Sequence, residues 1–590
     1  MAHEEVGSAC NGPVGVHNCW ACDGTTPGGG IGDRMAMAME DLRVARRIVQ
    51  ALQNLTSPIA AACVIMVAFM ASWDTAEAVS SGPDVGARGI TTLLATCVGF
   101  SLFFGCIATS TAVQDASQDK SVSAADKVEY EPETYSDEKK QEIAEKVAQA
   151  LRIQTVSQDE HAEVETDTDT FLKLHDLIYE LFPLVHSNPN VIRTVVNKYS
   201  LCYEWKGEDQ EADPVMLCAH LDVVPVTEPE KWEREPFSGD IDENGFVWGR
   251  GAVDNKHNVL MQLQAVEDLL ASGIEQPPRT VYFAFGHDEE IGGYDGAREI
   301  GMLIREKLGP NKKLHFLLDE GVFVLKGLIP GMKEPVSVVG HCEKGNVSMQ
   351  LTVDHHPPGH SSAPPAESNI GILSRAIDRI ERHPFPMDID GFMDSIQSIG
   401  NSLPLIIRVM YSNRWLFRPV IRMVVQKSPF LWSATRTTSA VTVTRAGSKM
   451  NILPGLAQAW VNHRIHPNTG SPAAVKAYLE KVINDPRVKV EEFGRWTLDP
   501  SPVAPTKGPI FELLRKVSKK VFNAPVMAAI MTGNTDTRWY WDLTDNIYRH
   551  TPIVFETIDD AKMFHGNNER VSKAQLASLL QFYTLLLQSK

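Results

Sequence analysis

Cysteine is scarce where the chain has the pattern of a folded protein. Of nine in 590 residues, only Cys202, Cys218 and Cys342 follow position 113. Three scattered thiols exclude a disulfide framework. Cys19 and Cys22, in HNCWAC, have the spacing of a redox or half-zinc motif, but no second pair and no strand-helix unit accompany them. Basic charge is also in deficit: 56 Lys and Arg stand against 74 Asp and Glu, a net charge of -18. That balance argues against nucleic acid, or an anionic membrane surface, as the main partner, because both need basic patches. An anionic small molecule held by one local Arg stays open. Internal repeats are absent. At 65.2 kDa the chain exceeds one hydrophobic core, which predicts two folded domains behind an N-terminal extension.

The first hundred or so residues lack the pattern of the rest. A Gly-rich start leads into a basic segment with Arg43, Arg46 and Arg47, and then into two apolar stretches, 58–73 and 90–113. The second has no charge apart from its flanks and is long enough for the roughly 20 residues that a bilayer core needs; the first is short. With arginines before it and Asp115, Asp119 and Asp126 after it, 90–113 is expected to span with the N-terminus cytosolic. The large domain then lies on the secretory side, anchored, or released if the stretch is a cleaved signal core. If both stretches span, that orientation reverses.

Residues 1–114 are thus read as a leader and 115–136 as an acidic linker. A first folded segment is expected over 137–343, a smaller inserted domain over 344–466, and a return to the first domain over 467–590. In the first part, short apolar runs alternate with helical patterns at 259–272 and 296–308, the signature of an α/β domain whose mostly parallel sheet is covered by helices. Within the insertion, alternating strands near 347–353 and 440–446 flank a helix at 370–382, an α+β pattern. It also holds a long hydrophobic stretch, 385–432, with Trp415, Phe417, Phe430 and Trp432.

Chemistry concentrates at the ends of the apolar runs: MLCAHLDVVP, GRGAVDNK, FAFGHDEEIGG and FLLDEG. Buried parallel strands carry functional groups at their C-terminal ends, and a His with several carboxylates in that position suits zinc, or cobalt or manganese. Two metal ions need a bridging carboxylate, terminal His and carboxylate ligands, and a base for water. Asp254 is the expected bridge, His220 and Asp319 complete one ion, and Glu290 with the distant His565 the other. Asp222, two residues beyond His220 on an extended chain, faces the same side and orients the imidazole. Glu289 has no metal role left and is the expected general base. A lone acidic pair is ordinarily a solvated loop, but five such groups on successive strand ends are a site.

HLDVVP, GRGAVDNK, GHDEEIGG, LDEGV, PGHSSAPP, NILP, RIHP, GNTDTR and FHGNNE, in that order from about residue 137 to the C-terminus, resemble the aminoacylase and carboxypeptidase family of co-catalytic zinc peptidases. Its N-fatty-acyl-amino-acid synthase/hydrolase branch is the most similar, followed by its membrane-anchored vacuolar carboxypeptidases. The resemblance implies two zinc ions on the five ligands named, Asp222 as orienter, Glu289 as base, and a ferredoxin-like lid that serves dimerisation. It further implies that His360 stabilises the oxyanion, within its own chain or across a homodimer, and that Arg464 and Asn451 bind the substrate's free carboxylate. Gly533 and Thr535, in GNTDTR, line the site. Two departures are Asp254-Asn255-Lys256, where many relatives have Asp-Asp-Lys, and Gly321-Val322 in place of Gly-Gly. The implied function is reversible hydrolysis of an N-fatty-acyl amino acid, with a lumenal carboxypeptidase or dipeptidase as the alternative and a non-catalytic binding protein a remote one. The stretch 385–432 would suit a long acyl chain, at about 0.8 kcal/mol per buried methylene.

Overall fold

The computed structural model describes residues 129–132, 134–158, 166–329 and 332–589. The leader with its expected span at 90–113, and the linker up to residue 128, lie outside them. Among the described residues no helix is long and apolar enough to cross a membrane.

Helix α1 (Asp137–Leu151) starts at Ser136, whose hydroxyl accepts from the Lys139 amide, and carries Asp137 and Glu138 at the positive end of its dipole. Helices α2 (Asp169–Leu181) and α3 (Pro183–Ser187) lead to the hairpin β1 (Val191–Val196) and β2 (Ser200–Trp205). Next come β3 (Val215–His220), the short β4 (Asp240–Ile241) and β5 (Phe246–Trp248), α4 (Lys256–Ala271), β6 (Val281–Gly286), α5 (Ala297–Leu308), β7 (Phe316–Lys326) and β8 (Pro335–Glu343). β3 and β6 are buried along their whole length, as their unbroken apolar sequences require of strands covered on both faces.

The insertion begins with β9 (Gly345–Val353), β10 (Gly359–His360) and α6 (Asn369–Arg382). Four short helices follow, α7 (Ile389–Gln397), α8 (Leu405–Ser412), α9 (Arg414–Lys427) and α10 (Pro429–Ala434). β11 (Thr438–Ala446), β12 (Ile452–Leu453), β13 (Ala457–Ile465), α11 (Pro472–Ile483) and β14 (Lys489–Leu498) end it. The chain then forms α12 (Pro509–Phe522), β15 (Val526–Met531), β16 (Ile547–Phe555), α13 (Ile558–Lys562), β17 (Arg570–Ser572) and α14 (Lys573–Leu587).

The large sheet runs β1-β2-β6-β3-β7-β16-β8-β15. β6, β3, β7 and β16 are mutually parallel and carry the site; the edges bring in antiparallel pairings. This is the mixed, mostly parallel α/β fold that the sequence predicts. The lid is an antiparallel sheet, β11-β13-β9-β14, under α6 and α11, with its own core of Val347, Met349, Leu351, Ile372, Val461 and Leu479. Because β14 pairs with β9, the lid continues to Leu498, beyond the expected boundary at 466. The hydrophobic stretch 385–432 also differs from its expected place. Only Phe385 joins the lid core; Ile399 and Leu403 pack with Val336 and Val338 of β8 and with Met527 and Ala529 of β15, so this helical layer sits on the edge of the large sheet.

Candidate metal centre

β3 ends in His220, and its parallel neighbours β6 and β7 bring the Glu289-Glu290 turn and the Asp319-Glu320 pair to the same region. Asp254 comes from the loop that opens α4, and His565 from the loop after α13. Asp254 joins the two halves of the site. Its Oδ1 lies 2.9 Å from His220 Nε2 and its Oδ2 2.8 Å from His565 Nε2, which is also 3.2 Å from Glu290 Oε2. One ligand atom from each of His220, Asp254 and Glu290 falls within 4.8 Å of the others, and so does one from each of His220, Glu289 and Glu320.

Asp222 contacts both the imidazole of His220 and the acidic turn. His220 Nδ1 is 3.0 Å from the Asp222 carbonyl oxygen and 3.3 Å from its carboxylate. The carbonyl can only accept, so Nδ1 carries hydrogen and Nε2 is turned toward Asp254 and Glu320. The two Asp222 carboxylate oxygens accept the amides of Glu289 and Glu290, each at 3.1 Å, which fixes the acidic turn relative to the imidazole.

Asp319 shares its strand end with a second acid, Glu320. The carboxylate that meets His220 is Glu320, with Oε1 3.5 Å from Nε2. Asp319 Oδ1 accepts the Glu320 amide at 2.8 Å, and its buried Oδ2 has no hydrogen-bond partner among the described residues, which leaves it a free donor atom. Asn255 completes the Glu320 side, its amide donating to Glu320 Oε2 at 2.5 Å. The departure from Asp-Asp-Lys thus places a neutral donor, in place of another anion, beside a ligand-type carboxylate.

Glu569, in the FHGNNER segment, was not singled out by sequence reasoning. Its carboxylate accepts the amides of Gly251, Val253 and Asp254, at 3.1, 2.7 and 3.0 Å, and pairs with Arg250 at 2.7 Å. It therefore shapes the loop that presents Asp254. Its signal is an acid four residues past a candidate ligand His, too common a spacing to stand out.

The electrostatics call for cations. Burial holds the carboxyls of Glu289, Glu290 and Glu320 above their ordinary range; neighbouring carboxylates add to this, and the imidazoles oppose it. Burial disfavours charge on His220, but Glu320, Asp222 and Asp254 outweigh it and keep its pKa well above normal. His565 is likewise raised, to about 10, by Asp254 and Glu290 against burial. A buried Glu290 Oε1 without a partner is a further donor atom, and the His and carboxylate set fits zinc-type coordination.

The remaining predicted residues divide. Arg464, on β13, donates to Asn534 Oδ1 at 2.8 Å, so it meets the GNTDTR loop. That loop abuts the β6 end: a Cβ on Gly286 or Gly293 would lie 2.7 or 2.2 Å from the Asp536 carboxylate. Gly533 faces open space, with Met531 its only near neighbour. The Thr535 hydroxyl donates to buried Glu343 at 2.6 Å. His360 and Asn451 are exposed on the β10-β12 pair and do not join the cluster; His360 Nδ1 lies 2.8 Å from the Ser362 hydroxyl.

Known proteins share this frame. The probable carboxypeptidase S-like 2 of Dictyostelium discoideum is 38% identical over 451 residues, which cover 76% of this chain and 85% of that protein. The N-fatty-acyl-amino acid synthase/hydrolase PM20D1 of Mus musculus is 36% identical over 464 residues, 78% and 90% of the two chains. In fold, the chain is similar to an M20 metallo-carboxypeptidase of Sulfolobus solfataricus, with a TM-score of 0.55 at 18% identity over 77% of this chain and 99% of that one. It is also similar to human carnosine dipeptidase 1, with a TM-score of 0.52 at 15% identity over 77% and 96%. The model of peptidase family M20/M25/M40 matches residues 216–589, from the strand that bears His220 to the last helix, and with these relatives it establishes that the chain is a metallohydrolase of that family.

Proposed function

We propose that this enzyme hydrolyses, and by reversal forms, the amide between a fatty acyl group and an amino acid with a free carboxylate, using two zinc ions that cobalt or manganese can replace. The observation that carries the reading is Asp254, whose two oxygens face two different histidines. His220 and Glu320 would hold one ion, with the buried Asp319 Oδ2 as a further donor, and Glu290 and His565 the other. Bound there, the ions supply Lewis acidity and lower the pKa of a water molecule toward neutrality.

Glu289 takes the proton that the attacking water loses and passes it to the leaving amine, a task suited to a carboxyl whose pKa burial and Glu320 raise. Arg464, steadied by Asn534, receives the substrate carboxylate in its planar fork. His360 and Asn451 reach the reacting amide from the lid of a second copy, where the imidazole stabilises the oxyanion. The leader stretch 90–113 anchors the enzyme with its catalytic part on the secretory side.

The test is zinc-loaded full-length protein given long-chain N-acyl amino acids together with blocked dipeptides, with products read by mass spectrometry. Release of fatty acid that stops on chelation is expected. Preferential dipeptide cleavage would overturn the acyl specificity and favour a carboxypeptidase or dipeptidase, the reading that the names of the Dictyostelium relatives favour.

A further inference from the structure

The helical layer on the β8-β15 edge has an outer face unlike the rest of this acidic chain. From Leu405 to Ala434 there are five basic residues, Arg408, Arg414, Arg418, Arg422 and Lys427, and no Asp or Glu. Residues four apart on a helix share a face, so α9 separates into rows. Phe417, Ile421 and Val425 form the inner row and pack against Ile389 and Met393 of α7. Arg414, Arg418 and Arg422 form a basic row beside it. The outer rows are Trp415, Pro419, Met423 and Lys427, and Leu416, Val420 and Val424.

A helix apolar on its inner and outer sides alike is built to be covered on both. The inner side is covered. On the outer side Trp415 is 69% exposed, Val424 49% and Val420 38%, with Leu405 and Ile406 of α8 exposed beside them. Two of the cations are neutralised within the layer, Arg414 by Asp394 at 2.6 Å and Arg418 by Asp390 at 3.0 Å. Arg408, Arg422 and Lys427 have no carboxylate partner among the described residues.

From this we infer that α8 and α9 dock on an anionic lipid surface. A convex apolar ridge with an exposed indole, flanked by long cationic side chains, is the geometry of a helix lying in the headgroup plane. The ridge enters the acyl boundary, while the Arg and Lys stems lie along it and their charged ends reach lipid phosphates. The net charge of -18 that argues against an anionic surface for the chain as a whole conceals this local reversal of sign. The layer also adjoins the site's rim: Lys344 donates to the Arg436 carbonyl just past α10, and Asn534, the partner of Arg464, donates to the Lys344 carbonyl. A lipid surface at α9 thus lies beside the segment that joins the lid to the GNTDTR loop.

Hydrogen-deuterium exchange of the full-length protein, read by mass spectrometry on peptides covering 405–427, tests the inference with vesicles of phosphatidylcholine alone and of phosphatidylcholine mixed with phosphatidylserine. Local exchange is read whatever the leader does. We expect slowing with the anionic vesicles only. The triple variant Arg408→Glu, Arg422→Glu, Lys427→Glu should need at least about a hundredfold more anionic lipid for the same slowing, because each cation near such a surface contributes about a fivefold factor. Trp415→Ser with Val424→Ser, both at exposed positions, should abolish the slowing with an unchanged unfolding midpoint. Equal slowing by neutral and anionic vesicles, or none by either, would overturn the inference. So would slowing that grows with protein concentration without vesicles, which would make the occupant a second copy of the chain.

Discussion

Two neighbouring acids on one strand use their carboxylate oxygens differently. Glu320 meets His220 and takes the Asn255 amide, whereas Asp319 spends one oxygen on a backbone amide and keeps the other buried and unpartnered. Glu320→Ala should therefore leave the protein with one tightly held zinc in place of two, measured by metal analysis after dialysis, while Asp319→Asn keeps both. Loss of one ion from Asp319→Asn with two retained by Glu320→Ala would reverse the assignment. Glu289→Gln should keep the full metal content and lower kcat by about 10²- to 10⁴-fold, the range of a general base. Retention of wild-type kcat would remove Glu289 from proton transfer. His220, Asp254, Glu289, Glu290 and His565 were legible because each closes an apolar run or belongs to a dense motif. The contact of Glu320 with His220 was not, because nothing in LDEG says which acid an imidazole meets, and Glu569 was hidden because its partners are backbone amides.

The elements that carry these residues are stabilised by buried polar groups that respond to acid. His550 on β16 donates from Nδ1 to the Val322 carbonyl at 2.7 Å, and its Nε2 accepts from the Ser337 hydroxyl at 3.0 Å, which ties three strands of the large sheet. Burial lowers its pKa to about 4, and does the same to His463 and His466 of the lid. The unfolded chain binds protons at these sites near 6.5, so the stability that they contribute is fully present above that pH and is lost as pH falls toward 4. The full span corresponds to roughly 3 kcal/mol per histidine, at about 1.4 kcal/mol per pKa unit. Thermal melts of the zinc-loaded protein should show a midpoint that drops between pH 7 and 5. His550→Asn should lower the midpoint at pH 7 but make the drop shallower; an equally steep drop would show that His550 is not among the groups responsible. The strands and helices were legible from their apolar periods, including β3, β6, α4, α5, α6 and α14. The lid's continuation to Leu498 was not, because β14 is a solvated edge strand, rich in charge, whose pairing with β9 leaves no mark in its composition.

At the scale of the whole molecule, one chain presents the metal-ligand cluster and keeps two predicted contributors, His360 and Asn451, in solvent on the lid. Among the described residues the exposed His360 imidazole bonds to Ser362, apart from Asp254, and the two short strands at its position pair with each other rather than with the large sheet. If the lid sheets of two copies meet in a two-fold dimer, each copy can offer its His360 to the other's cluster, and the two contacts are equivalent by symmetry. Glu289→Ala and His360→Ala subunits should then each be inactive alone and recover activity when mixed under exchange. In a random mixture half of the dimers are mixed, and each of those has one site with both residues intact, so about one quarter of the wild-type rate is expected. Recovery measured as turnover against mixing ratio should peak at equal parts. No recovery, from subunits shown by mass to have exchanged, would mean that His360 serves its own chain through a lid movement or does not serve the reaction.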